Sequence, residues 1–365
     1  MKSLSTKFKK MIETTSWKDH FVEIVSQLLN YVVILLIALS IGAIVISLSG
    51  KNPIEAYSAL WEGAFGNKFR FADTLDRSTI MILAGIAGSI AFRTNIINLG
   101  LEGQLYIGAF AAAWVGFTFT NLPGYIHLPL CMVAGILGGA IWTIPVLYLK
   151  MRWKIAEMVP TLMMNYIAIR FTQYLIAFPF KDPTAPMAGS PMLADSARLP
   201  KLMPGSTINI GFIIAIALIF GAYWFLFKTK VGYEMRMVGL NADFAAAAGL
   251  PVKRSYVLAM TLSGGIIGLG GALMIMGFFG RFLGGFSSGY GWDGFMIALI
   301  AQNHPIAVFP AALFYGALAN GALTMQSVTG VPQAVVAMVK GTLVLFVTVT
   351  VFSENIRKAF KKWAA

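Results

Sequence analysis

The sequence predicts an all-α, polytopic integral membrane protein, and three observations lead there. Hydrophobic residues make up 58% of the chain and charged residues 12%. The mean hydropathy is +0.74, far from the balance of a water-soluble domain. The apolar residues gather in about ten runs near the length of about 20 residues that crosses a bilayer. Gly and Pro recur inside these runs, as expected where membrane helices pack closely or break.

The elements follow in order. A basic arm fills residues 1–27, and the run Leu28–Ser49 begins behind it without a small-residue cleavage pattern, so it reads as an anchor and not as a removed signal peptide. Leu75–Phe92 comes next, then the shorter Gly103–Phe119, then Leu128–Leu149 and Met158–Phe178. A loop over 179–207, rich in Pro and small polar residues, leads to Ile208–Phe227. The long polar loop 228–255 separates that run from Tyr256–Phe279. Trp292–Gln302 and Ile306–Leu323 are short or weakly bounded, and Ala334–Phe352 closes the membrane domain 28–352 before a basic tail, 353–365. The lone cysteine, Cys131, lies in an apolar run; it excludes an intrachain disulfide and reads as a small buried side chain.

Charge orients these runs. The N-terminal lysines, Arg93, the turn Lys150/Arg152/Lys154, the loop 228–255 and the tail fall on one side and hold most of the 28 basic residues. By the positive-inside rule that side is the cytoplasm, with both termini inside. The net charge of +13 is explained by anionic lipid headgroups and does not call for nucleic acid.

Two polar insertions stand out against the apolar background. Asn95-Ile-Ile-Asn98-Leu-Gly-Leu-Glu102-Gly-Gln104 places three amides and a carboxylate between buried runs, which is costly unless they meet water, each other or a substrate. Trp292-Asp293-Gly294 echoes Leu101-Glu102-Gly103 as acid-Gly at the start of a short run. Val159-Pro160 before Arg170 is echoed by Val331-Pro332 before Lys340. Both pairings join run n to run n+5, an odd offset that reverses direction through the membrane and predicts an inverted repeat. In the loop 228–255, Asn241 is a helix N-cap, Asp243 and the alanines favour the first turns, and Gly249 and Pro251 stop a short helix. That helix is either a grip for a peripheral motor protein or an ordinary solvated connector.

The segments Asn95–Gln104, Glu157–Ala168, Gly239–Leu269 and Gly289–Ala298 together resemble the permease subunits of bacterial ABC importers. More narrowly, they resemble the branched-chain amino acid, ribose and simple-sugar permease family, and within it the members paired with nucleoside-binding lipoproteins. The resemblance implies a type II-like importer half in the bacterial cell membrane. A second permease, a copy or a paralogue, would complete the path; ATPase subunits would bind on the cytoplasmic side and an extracellular lipid-anchored binding protein would deliver substrate. It makes Gly239, Leu240, Asn241, Asp243, Ala247, Gly249 and Leu250 the segment that couples to the ATPase. The chain has no G-x-x-x-x-G-K-[ST] phosphate loop, so ATP and Mg are expected on the partner ATPase and no cofactor on this chain. The protein itself would be a transporter subunit and not an enzyme.

For a nucleoside, aromatic or Met surfaces suit the base, and amides or carboxylates suit the ribose hydroxyls. The candidates are Asn95, Asn98, Glu102 and Gln104 from one repeat, Trp292, Asp293, Gln302 and Asn303 from the other, and Asn165. Each has a plainer alternative. Glu102 can form a structural ion pair with Arg170 or Lys340, Asn98 and Asn165 can be interhelical hydrogen-bond glue, and Trp292 can be an interfacial anchor. The loop 179–207 suits docking of a binding protein or is a plain connector. The same machine carrying ribose, another sugar or an amino acid is the alternative function, and an ion-coupled secondary carrier is a third.

Overall fold

A computed structural model describes residue 33 and residues 36–183, 188–342 and 345. The arm 1–27, the tail 353–365 and parts of the first and tenth expected runs lie outside the described residues. No strand occurs among the described residues; isolated bridges pair Gly189 with Leu283 and Lys201 with Asn209. The chain divides into two compact units, Met1–Ala56 with Thr329–Ala365, and Tyr57–Val328. Described residues of the first unit include helix α1 (Leu36–Leu48) and a helical stretch over 333–342.

The second unit carries most of the rest, the division falling within α2 and at the last residue of α13. After α2 (Pro53–Phe65), α3 (Lys68–Arg93) starts at Asn67, whose side chain accepts from the Phe69 and Arg70 amides. Then come α4 (Leu101–Thr118), α5 (Gly124–Ile141), α6 (Ile144–Trp153) and α7 (Met158–Ala177). They are followed by α8 (Gly211–Lys228), α9 (Lys230–Leu240) and α10 (Ala242–Ala247). Next is α11 (Val252–Met274), which continues as a π-turn over Ile275–Phe279. The last two are α12 (Tyr290–Ile300) and α13 (Pro305–Thr329).

The core is a three-helix contact of α4, α5 and α11 made through glycine. A methyl group at Gly108 would meet the Gly268 backbone, and one at Gly139 would meet the Gly264 carbonyl. Gly135-x-x-x-Gly139 and Gly264-x-x-x-Gly268 thus present backbone to backbone, the small-residue packing that substitutes for a hydrophobic driving force inside lipid. Outward, α5 exposes Leu130, Val133, Leu137 and Ile141, and α8 exposes Ile213, Phe220 and Trp224. These are apolar faces suited to hydrocarbon.

The contacts separate two ends. At one, Arg93 meets Gln302 and Asn303, and Lys150 pairs with Glu157. At the other, Asp73 accepts from Thr207, Arg281 pairs with Asp182, and the Leu199 amide donates to Met276 at the far end of α11.

The expectation of about ten spans is met in part. By length and composition, α3, α5 with α6, α8, α11 with its π-turn, and α13 can each cross a membrane, and α1 with α2 can do so only when taken together. In α4 and α7, Glu102, Gln104, Asn165 and Arg170 dilute the apolar composition. The eighth expected run, Trp292–Gln302, is corrected: α12 has 11 residues, about 16 Å at 1.5 Å per residue, half of a bilayer core about 30 Å thick. Gly289, at φ 96°, starts it, and Gln302 and Asn303, at φ 49° and 58°, end it.

Candidate functional site

The polar insertion folds as a return of the chain from the end of α3 into the interior. Helix α3 ends in a Schellman motif: the Asn95 amide donates to Phe92 O, the Ile96 amide to Ala91 O, and Asn95 takes the left-handed conformation at φ 56°. Asn suits that position because its short polar side chain tolerates it. The backbone then runs non-helical to Gly100 before α4 begins. Non-helical backbone at membrane depth needs partners from its surroundings, and the candidate amides supply them.

Asn98 is 2% exposed; its Nδ2 donates to Gln104 Oε1 at 3.0 Å and to Ser263 Oγ on α11 at 2.9 Å. Its Oδ1 accepts from the Gly100 amide and from Gln104 Nε2. Asn165 on α7 accepts from the Gly103 amide and donates to the Leu99 carbonyl, both at 2.7 Å. Glu157 accepts from the Ile97 amide at 3.1 Å and pairs with Lys150 at 2.5 Å. Burial pushes the Glu157 carboxyl up, but the Lys150 hydrogen bond and charge, with the Ile97 amide, bring it below the usual carboxylate range.

Glu102 reaches the other insertion. Its Oε2 accepts from the Gly291 amide at 2.7 Å, in the first turn of α12. A side chain at Gly291 would collide with the Glu102 backbone, so α4 and α12 start side by side. From there α4 runs toward the Arg281 end, where Gly116 O accepts from Ala194, and α12 runs toward Arg93. Two helix N-termini therefore meet at the Glu102 carboxyl, whose Oε2 takes up one of the first amides of α12. Arg170 is not its partner: it lies exposed on α7 and donates to Gln173.

The structure thus brings Asn98, Glu102, Gln104 and Asn165 into one buried group around the α4 and α12 starts. Trp292 is 39% exposed beside it and Asp293 is half-buried. Asn95, Gln302 and Asn303 do not join them: Asn95 lies in the turn that ends α3, and Gln302 and Asn303 sit at the far end of α12, about 16 Å along its axis from its start. There Arg93 Nε donates to the Asn303 carbonyl at 2.9 Å, and Nη2 faces the Gln302 carbonyl at 3.5 Å.

The loop helix is present as α10. Asn241 Oδ1 accepts from the Phe244 amide, and the helix closes with Gly249 at φ 76°. Leu240 is 80% exposed and Phe244 61% exposed at this end. Phe244 escaped the sequence reasoning; the signal was an apolar side chain three residues past an N-cap in a polar loop. Glu157 and Ser263 also escaped it, the first although it opens a singled-out motif.

Comparison with known proteins adds to this geometry. The profile of the family described as branched-chain amino acid transport system / permease component matches residues 70–348. The chain is 36% identical to a guanosine ABC transporter permease of Bacillus subtilis over 326 residues, 88% of this chain and 93% of that one. It is 30% identical to a glucose ABC transporter permease of Haloferax volcanii, covering 89% and 88%. It is 31% identical to a nucleoside ABC transporter permease of Lactococcus lactis, covering 86% and 88%.

Proposed function

The chain belongs to the branched-chain amino acid transport system permease family, and on that premise we propose that it is the membrane-spanning subunit of an ATP-driven importer of nucleosides. The observation that carries the mechanism is α10, a capped six-residue helix that holds Phe244 out at the basic end of the molecule, beside Leu240 at the end of α9. Exposed apolar side chains on a rigid, polar-flanked helix suit a groove in a partner, and the partner in this reading is the cytoplasmic ATPase. ATP binding draws two such helices together and biases the permease pair between outward- and inward-facing states. The Arg93 end is then cytoplasmic, both termini lie inside, and the loop 179–207 faces the binding protein.

A second permease closes the path. Support comes from Arg170: facing lipid, a guanidinium costs about 2.5–3.5 kcal/mol or more, so the α7 face with Met163, Tyr166, Arg170 and Tyr174 turns to water or to the partner permease. Trp292 and Asp293 are the candidates able to touch a substrate, whereas Asn98, Glu102, Gln104 and Asn165 hold the backbone behind them. The opposed α4 and α12 starts support the inverted-repeat reading. Substrate is held weakly along the path, and affinity resides on the binding protein.

The nucleoside assignment leans on the guanosine and nucleoside permeases among the relatives; the glucose permease favours a sugar as the second reading. Competition decides between them. ATP-dependent uptake of labelled guanosine that is displaced by unlabelled nucleosides and indifferent to glucose or ribose is the expected result; the reverse pattern assigns a sugar. Uptake driven by an ion gradient without ATP would remove the importer reading altogether.

A further inference from the structure

The coupling reading leaves open how a movement of α10 reaches the α12 start, and one joint at the basic end makes that connection. Helix α9 precedes α10 directly and ends against α3: a methyl group at Gly239 would meet the Arg93 carbonyl and the Thr94 backbone. The contact is backbone on backbone, so a shift of α9 has no slack to absorb it. On the other side, the Arg93 guanidinium holds the carbonyl end of α12 through Asn303 and Gln302. A cation at a helix C-terminus is favoured by the unpaired carbonyls and the dipole there.

The joint is centred on an aromatic ring. Phe227, at the end of α8, carries the Arg93 guanidinium 5.3 Å and the Arg236 guanidinium 4.9 Å from its centroid. The His304 ring packs on it at 5.3 Å. The ring attracts each guanidinium while the two like charges repel each other across it. The hydrogen bonding is also incomplete. Arg236 Nε and Asn303 Oδ1 are both buried and have no hydrogen-bond partner among the described residues. A buried donor and a buried acceptor left unmatched at one joint store free energy that a rearrangement can release.

We propose that Arg93 is a positioning residue for transport, a transmission joint that passes displacement of the α9–α10 segment to half-helix α12 and exchanges its partners as it does so. In the other state, the unused Arg236 Nε and Asn303 Oδ1 take up hydrogen bonds while Arg93 releases the α12 carbonyls. Because α12 is short and packs on α3 through Gly294 against Ala84 and Ala298 against Gly88, it moves as one rod. Motion at Asn303 then arrives at Gly291, Trp292 and Asp293. The inference rests on α10 being the ATPase contact.

The test uses the assembled importer in proteoliposomes, with ATP hydrolysis and guanosine uptake measured separately. Arg93→Gln is expected to lower guanosine imported per ATP hydrolysed about tenfold, the effect of one charge-assisted hydrogen bond, with the ATPase still bound; Arg93→Lys retains part of it. Uptake and hydrolysis that fall in proportion, or that stay unchanged, overturn the proposal. Should Arg93→Gln fail to assemble, Asn303→Asp decides: a carboxylate beside both guanidiniums locks the joint, and several-fold slower uptake with bound, active ATPase is expected. Normal uptake by that variant overturns the proposal. Phe244→Asp separates the premise, since an ATPase that still binds and responds to substrate in that variant defeats the α10 reading and leaves the Arg93 result to be judged alone.

Discussion

Helices α4 and α12 start side by side at Glu102 and Gly291, yet they are held differently. Helix α4 is stitched down by neutral amides from three elements, Asn98, Gln104 and Asn165, and is wedged against α5 and α11 at glycine. Helix α12 packs at glycine too, Gly294 on α3 and Gly291 on α4, and is fastened at its two ends by single side chains, Glu102 at its start and Arg93 at its finish. A fixed amide network gives one geometry, whereas single side-chain contacts at a helix end can be exchanged. The contrast marks α4 as scaffold and α12 as the helix whose end contacts can change partners.

Breaking the scaffold has the largest expected effect. Gly268→Leu drives a side chain into the Gly135 and Gly139 backbone, an overpacking with no flexible atom to yield; loss of folded permease in detergent, read by size-exclusion profile, is expected. Asn165→Leu comes next. It strands the Gly103 amide and the Leu99 carbonyl, each worth about 1–3 kcal/mol when buried unpaired. The expected outcome is a lowered melting temperature, with uptake and ATP hydrolysis lost together.

Changes at the ends of α12 sharpen the comparison because they spare the fold. Glu102→Gln keeps an acceptor for Gly291 but replaces a carboxyl oxygen between the two helix starts with an amide NH2. Uptake about fivefold lower with unchanged melting is expected, and unchanged uptake would remove Glu102 from the transport cycle.

Acid separates the two anchors further. The Glu157 carboxyl is depressed in the folded protein, so its contribution is complete above the ordinary Glu value of about 4.3 and is lost as pH falls through the lower folded value. Melting temperature should drop in that range, and Glu157→Gln should flatten the drop. His304 shows the smallest effect. Burial and then the Arg93 charge hold its imidazolium below the usual value of about 6.5. Its contribution is therefore present above that value and lost as pH falls through the folded one. Coupling should weaken mildly at acid pH, and His304→Gln should abolish that dependence.

What the sequence disclosed was local. The Asn241 cap and the Gly249 stop are set within a few residues, and α10 forms where they place it. The glycine pairs of α5 and α11 sit at readable four-residue spacing. Long-range pairing was not readable: Asn98 meets Ser263 across 165 positions, and Glu102 meets Gly291 across 189. The polar cluster could equally have faced a substrate, and only the partners of Asn98, Gln104 and Asn165 show how the amides are spent on backbone and on one another. Helix α12 read as a span because its composition is apolar, while its left-handed finish falls on Gln302 and Asn303, without the glycine that marks most such stops.

Distances within the assembled importer test the contrast most directly. With Cys131, the lone and buried cysteine, replaced by Ala, spin labels at Trp114 on α4 and Trp292 on α12 report across the two helices. Labels at Trp114 and Leu137 report within the scaffold. All three positions are exposed. Between nucleotide-free and ATP-bound states the 114–292 distance should change by about 2 Å or more while the 114–137 distance stays fixed, and Arg93→Gln should suppress the change. An invariant 114–292 distance, or an equal shift in both pairs, would contradict a fixed α4 and a moving α12.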